Sequence, residues 1–425
     1  MVQRAARLGF VWALLVVACH DQGTQSVPRL GFIVQPSNTP AGAVLSPPIQ
    51  VAAQDASGNT VTSFGGNVTI AIGTNPVGGT LSGATTVAAS SGIATFPDLS
   101  LSVAGDGYTL LASAAGFGAA TSPAFDAVCI SNYWTVKAPM PTVRTGFGVG
   151  TVNGMLYTVG GEIIKPAVAT VEAYDPKTEF WTTQAPMPTA RSGPGVGVVN
   201  GILYAVGGIP AGLVDPLPTG TIEAYDPVSN TWTTKQAMPN PRFGIGVGVV
   251  NGIIYAVGGV GPGGSGTVVT GAVEAYDPVS NTWTAKAPMP TPRVGVALGV
   301  VNGLLYAVGG EGSGGPLTVV EVYDPISNTW ASKASVPTAR SGFGVGVVNG
   351  ILYAIGGATG TGASASIVNT VEAYDPATNT WTTKEPMCTG RRSLAIGVLN
   401  GVLYAIGGQA TYPGDYTGAN EAYRP

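Results

Sequence analysis

One nine-residue pattern, Asn-Gly-x-x-Tyr-x-x-Gly-Gly, occurs six times in this chain, starting at Asn153, Asn200, Asn251, Asn302, Asn349 and Asn400. A Trp precedes the first Gly of each pair by 26 residues, at Trp134, Trp181, Trp232, Trp283, Trp330 and Trp381. Five copies of Glu-x-Tyr-Asp-Pro begin nine residues before the next Trp, at Glu172, Glu223, Glu274, Glu321 and Glu372. Only the stretch between Gly-Gly and Glu changes length, so successive Trp stand 47, 51, 51, 47 and 51 residues apart. A period near fifty means one supersecondary unit per repeat, each burying its apolar face against its neighbours.

Each unit reads as four strands. Strand a, for example Arg191 to Val199, alternates small residues: Gly193, Gly195 and Gly197 here, Gly146, Gly148 and Gly150 in the first unit. Strands crowding a central axis need one face without side-chain bulk, a steric cause for that alternation. Asn-Gly is then a two-residue hairpin turn, because both residues tolerate positive φ. Strand b is of the Ile-Leu-Tyr-Ala-Val type and ends at Gly-Gly. Strand c, Val-Glu-Ala-Tyr, ends at Asp-Pro, and a type I turn leads to strand d with the Trp. A lone strand d, Tyr133 to Lys137, opens the series, and Glu421 to Pro425 closes it with a strand c that no Trp follows. Pairing these ends completes a sixth sheet and removes the open edges. The pattern resembles the kelch repeat over essentially all of Trp134 to Tyr423. The resemblance implies an all-β fold whose main part, 131–425, is a six-bladed kelch β-propeller.

Before it, Arg4 and Arg7 precede an apolar run from Leu8 to Ala18. That run falls short of the about twenty residues a membrane span needs. Val16-Val17-Ala18-Cys19 resembles the lipobox of bacterial lipoproteins. The resemblance implies a signal peptide over 1–18, a lipid on Cys19 and a tether over 19–28; an ordinary secretory signal is the alternative. On the lipoprotein reading the protein is exported and anchored to the bacterial cell envelope, at the outer membrane or cell surface. Export permits disulfides, and Cys129 and Cys388 are the two Cys that remain. Cys129 precedes the closing strand d, and Cys388 lies in a d–a connection at the opposite face. Their Cα atoms are expected beyond the roughly 7 Å a disulfide spans, leaving free thiols.

Residues 29–128 carry short alternating runs at Leu30–Val34, Ile49–Ala53, Val68–Ile72 and Tyr108–Ala112, separated by turns such as Asp55 to Asn59. Such spacing predicts an antiparallel sandwich. The segment resembles bacterial Ig-like domains of surface proteins, which implies a spacer, or a binding module in its own right.

Charged residues are 9% of the chain and the formal charge is −4. With no basic face, nucleic acid is excluded as a partner. The length-variable b–c loops are where function is expected, on the face they share with the d–a connections. They hold Glu162, Asp215, Glu311 and Asp415, with Arg392, Tyr412 and Tyr416 nearby, as ligand-binding candidates. Arg144, Arg191, Arg242, Arg293, Arg340 and Arg391 recur once per repeat at the start of strand a. They form either an anion-binding ring at the mouth or ion pairs with the six strand-c Glu, the sixth being Glu421. Galactose-oxidase-like relatives use copper held by two His. This chain has one His, His20, so neither that site nor an ordinary Cys/His zinc site can be built, and no cofactor or metal is expected.

These residues describe a non-catalytic cell-envelope lipoprotein that binds a glycan or an envelope or extracellular protein through its b–c loop face. One alternative is an enzyme on an acidic sugar, similar to bacterial sialic acid epimerases, with Glu162, Glu311 or Asp415 as acid or base. Another is a purely structural envelope protein.

Overall fold

The computed structural model describes residues 28–129, 131, 133–163, 166–212, 217–264, 266–361, 365–410 and 416–425. The proposed signal peptide and Cys19 lie outside them. Among the described residues there is no helix.

From Trp134 onward the chain forms six four-stranded antiparallel sheets. The first uses Gly148–Val152, Met155–Val159, Val171–Asp175 and Phe180–Thr183 as strands a to d. In the last, Ala395–Leu399, Val402–Ile406 and Asn420–Tyr423 are completed by Trp134–Lys137, which pairs antiparallel from Trp134↔Tyr423 to Lys137↔Asn420. Each strand a touches that of the next sheet, and the last touches the first, so the sheets form a closed ring. The Asn-Gly turns have both residues at positive φ, for example 50° at Asn153 and 79° at Gly154.

Packing gives the strand-a alternation a different cause from axial crowding. A Cβ on Gly148 would lie 2.2 Å from Val196 Cγ2, and one on Gly195 would lie 2.2 Å from Val247 Cγ2. The bare face is the one turned to the neighbouring sheet, whose aliphatic side chain leans over it. The alternate positions, including Val149, Val196, Val247, Leu298 and Ile396, line the axis.

Two further contacts tie each sheet to the one before. Every repeat Trp donates its indole N–H to a main-chain carbonyl of the preceding d–a connection, from Trp134 to Glu385 at 3.1 Å through Trp381 to Ala334 at 2.9 Å. In four sheets the strand-c Tyr donates to the Asn of its own c–d turn: Tyr225 to Asn230, Tyr276 to Asn281, Tyr323 to Asn328 and Tyr374 to Asn379. The same Asn oxygen accepts the N–H of Ala185, Gln236, Ala287 or Ala334 in the preceding sheet.

Cys129 and Cys388 form a disulfide with Cα atoms 5.1 Å apart, contrary to the expected separation. The chain does not enter strand d in a straight line. Ser131 Oγ accepts the N–H groups of Tyr133 and Trp134, a local turn that brings Cys129 back beside the preceding sheet. The Trp134 indole reaches Glu385, three residues before Cys388, and fixes that approach.

Residues 29–128 form small sheets around one core that includes Leu30, Ile49, Val51, Val68, Ile70, Phe96, Leu110 and Phe125. Arg29–Val34, Ile49–Gln54 and Asn67–Ile72 take up three of the expected strands. The fourth, Tyr108–Ala112, is divided: Gly105–Tyr108 pairs with Phe125–Val128 and Leu110–Ser113 pairs with Asn67–Ile72. The chain changes sheets at Thr109, whose hydroxyl accepts the N–H of Thr74.

This domain is not held off as a free spacer. Val77 O accepts the Thr417 hydroxyl at 2.5 Å and the Gly418 N–H at 3.2 Å, and Ala104 N–H donates to Thr389 Oγ1 at 3.1 Å. Gly78 sits so close to the ring that a Cβ would lie 2.7 Å from Tyr416 O. Ala419 of the ring is buried in the N-terminal domain's own core.

Candidate functional site

Each strand a is preceded by a short arm whose Arg turns inward and whose next residue pairs with the start of the b–c loop. The Arg side chains are at most 1% exposed. Each pairs with the strand-c Glu of its own sheet: Arg144–Glu172 at 2.8 Å, Arg191–Glu223 at 2.9 Å, Arg242–Glu274 at 2.8 Å, Arg293–Glu321 at 3.0 Å, Arg340–Glu372 at 2.7 Å and Arg391–Glu421 at 3.1 Å. The guanidinium also donates to main-chain carbonyls at the Gly-Gly end of strand b and the start of strand c, as Arg340 does to Gly356 and Thr370. The residue two before each Arg completes the clamp: Thr189, Thr291 and Thr338 donate to Glu223, Glu321 and Glu372. Burial lowers the Arg pKa values, with the Glu charge opposing it; Arg191 is pulled to about 10. At Glu421 burial raises the carboxyl while Arg391 lowers it. The six Arg are therefore internal clamps across strands a, b and c, with no surface to offer an anion.

The mouth is built one position further on. The residue after each Arg pairs through its main chain with the residue after Gly-Gly. The pairs are Thr145 with Glu162, Ser192 with Ile209, Phe243 with Val260, Val294 with Glu311, Ser341 with Ala358 and Arg392 with Gln409. These twelve positions hold the side chains that differ from sheet to sheet on an otherwise uniform frame. Glu162, Glu311 and Arg392 are all half-buried here, in the first, fourth and last sheets. Tyr416 joins Gln409 by a further bridge. Burial raises its hydroxyl pKa, and the charge of Glu162 adds to the rise. Glu311 belongs to a separate sheet and pairs with Pro316 in its own loop. Asp215, Tyr412 and Asp415 lie outside the described residues.

Thr145, Ser192, Phe243, Val294, Ser341 and Gln409 were not candidates from the sequence. Their signal is the one variable position beside an otherwise uniform Arg or Gly-Gly. The N-terminal domain takes up part of the same face, because Val77 holds Thr417 and Gly418 at the end of the last b–c loop. Among the described residues, none of the domain's hydrogen bonds reaches the b–c loops of sheets two to five. In the third sheet, Val260–Gly263 and Gly266–Val269 form a hairpin. With Asn240, Pro241 and Thr270 it walls a cavity of about 290 Å³.

The Kelch motif model matches residues 144–188, 190–239, 241–290, 292–337 and 339–387, more than half of the chain. The chain belongs to the kelch-repeat family. It is similar to Kelch-like ECH-associated protein 1A of Danio rerio, at 41% identity over 91 residues, which are 21% of this chain and 15% of that protein. It is also similar to Kelch-like protein terF of Aspergillus terreus, at 32% identity over 196 residues, 43% of this chain and 42% of that one. The match thus spans less than half the length of either relative. Among solved structures, the one titled "Structure of YjhT" superposes with a TM-score of 0.58 at 20% identity, covering 66% of this chain and 94% of that one. That likeness concerns the fold: a kelch β-propeller.

Proposed function

We propose that the protein is a non-catalytic binding module: a six-bladed kelch propeller closed by its N-terminal strand, with an Ig-like sandwich docked on its loop face. In this reading it is an exported bacterial lipoprotein held to the cell envelope through Cys19, and its ligand is a glycan or an envelope protein. What supports it is the partition of side chains at the mouth. The ionic groups common to every sheet are consumed in buried clamps, while the mouth-facing positions next to them are free to differ. A rigid ring bearing variable positions is suited to recognition.

An enzyme on an acidic sugar is the second reading, favoured by a carboxylate, Glu162, whose charge acts on the Tyr416 hydroxyl. It must do without the Arg ring, which burial removes. One experiment divides the two: an array of glycans and envelope proteins probed with the full chain, comparing wild type, Arg392→Ala and Glu162→Gln. A ligand retained by wild type and weakened by Arg392→Ala supports binding at the mouth. No ligand in either panel would sink the binding reading, and turnover of an acidic sugar lost in Glu162→Gln would replace it with the enzyme. Separately, equal incorporation of a lipid precursor by wild type and Cys19→Ser would overturn the anchor.

A further inference from the structure

The junction between the last and first sheets departs from the repeat at several positions outside the mouth. In sheets two to five the c–d turn carries Asn at positive φ, partnered by a Tyr hydroxyl. In the first sheet that residue is Glu179, also at positive φ, and its carboxylate pairs with Lys137 of the closing strand. The Tyr174 hydroxyl, fully buried, has no hydrogen-bond partner. Arg424 follows the strand-c Tyr where the other five sheets have Asp. Tyr133, 55% exposed, precedes the Trp where four of the other sheets have Thr.

These departures surround a hollow. Tyr133, Thr135, Lys137, Pro176, Tyr404 and Arg424 wall a cavity of about 290 Å³ between the two sheets. A second, of about 280 Å³, shares Lys137 and is walled by Glu179, Pro139 and, from the N-terminal domain, Val77 and Asp106. Arg424 and Glu179 both act on the Tyr404 hydroxyl, the first lowering and the second raising its pKa against a larger rise from burial. The two cavities share Lys137 of the closing strand, with Arg424 in the wall of the first and Glu179 and Asp106 in the wall of the second.

We propose that this seam is a second ligand site, for a short saccharide in which a carboxylated ring is linked to a neutral one. Each cavity is near the lower end of small-ligand pockets, about 300 Å³, which suits one sugar ring apiece. The exposed Tyr133 ring gives the apolar face of a pyranose a surface to lie on. Arg424 meets the carboxylate with a forked, charge-assisted pair. Thr135 and Tyr404 supply hydroxyls, and Lys137, held by Glu179, marks the passage to the second cavity. There Asp106 and Glu179 accept hydrogen bonds from a hydroxyl-bearing ring and disfavour a second negative charge.

The test is calorimetric titration of the full chain with a hyaluronan tetrasaccharide, which alternates carboxylated and neutral rings, and with maltotetraose, which carries no charge. The tetrasaccharide is expected to bind at least about tenfold more tightly than maltotetraose, and Arg424→Ala to weaken it about tenfold. Tyr133→Ala should weaken it about fivefold. Both side chains are exposed, so unchanged thermal midpoints will show that the variants fold. Arg392→Ala, in the mouth, should leave this titration unchanged, which separates the seam from the proposed mouth site. The proposal is overturned if the tetrasaccharide does not bind, if it binds no better than maltotetraose, or if Arg424→Ala and Tyr133→Ala bind as wild type does. Loss of binding in Arg392→Ala with none in Arg424→Ala would also overturn it and assign the sugar to the mouth.

Discussion

At the junction of the first and second sheets, Tyr225, Asn230 and the N–H of Ala185 close a hydrogen-bonded corner. At the junction of the last and first sheets, the same corner holds a Glu179–Lys137 pair and a Tyr174 hydroxyl without a partner. The two corners sit under equivalent Trp side chains, each with its indole bonded to the sheet before, so the packing beneath them is alike. What differs is polar satisfaction. A buried hydroxyl left unpaired costs about 1–3 kcal/mol, and an exposed ion pair returns about 0–1. The seam is therefore the weaker corner, and it is the corner that leaves a cavity open. Where one motif is used many times, the copy that departs from it shows both what the motif contributes and what it prevents.

The comparison breaks most visibly at the clamps, which the regular sheets and the seam share. Glu372→Ala leaves the Arg340 guanidinium buried without its partner and should cost about 3–5 kcal/mol in chemical unfolding. Glu421→Ala should cost a similar amount despite its place at the seam, since Arg391 is as deeply buried. A much smaller loss at either would show that the clamps relax toward solvent. Next in size is Cys388→Ser, expected to cost about 2–4 kcal/mol and to lower the thermal midpoint. The same drop under reducing conditions in the wild type, absent in the variant, would assign the effect to the disulfide. Third, Glu179→Asn gives the Tyr174 hydroxyl the acceptor its counterparts have, in a conformation Asn tolerates well, and should stabilise by about 1 kcal/mol. A loss instead would show that the Lys137 pair matters more than the buried hydroxyl.

The smallest effect concerns acid. Hydrogen bonds from the turn N–H and Ser hydroxyl groups hold Asp226, Asp277 and Asp324 below their ordinary value of 3.8. A carboxylate lowered on folding stabilises the fold above its unfolded pKa and loses that contribution as pH falls through its folded one. The regular turns should thus loosen only below pH 3.8. Side-chain carboxyl titration by NMR will show whether these Asp titrate below the ordinary value.

The repeat and its closure were legible because fixed spacing leaves little freedom. Trp-to-Gly distances, positive-φ Asn-Gly turns and complementary ends together define where each strand lies. Three matters were not legible, each for a physical reason. Pairing of Cys129 with Cys388 depends on a Ser131 turn that has no periodic signature. Docking of the N-terminal domain runs largely through main-chain groups, such as Val77 O, which any side chain could have carried. The glycine face could be read from the alternation, but only the neighbour's Val196 or Val247 shows which way it points. At the site, the Arg and Glu of each repeat stood out by number alone, yet the positions that vary from sheet to sheet are the ones beside them. Glu179 could have been found as the one repeat lacking Asn in its c–d turn.

The disulfide also sets the route that mechanical load takes through the molecule. The closing strand is held to the ring by edge pairing from Trp134 to Lys137, an arrangement that a pull on the preceding segment could peel one hydrogen bond at a time. Cys129 lies on the pulling side of that strand, and its bond runs to Cys388 in the connection leaving the neighbouring sheet. Tension arriving from the N-terminal domain therefore passes into that connection before it reaches the strand, and the ring is loaded across two sheets instead of unzipped along one.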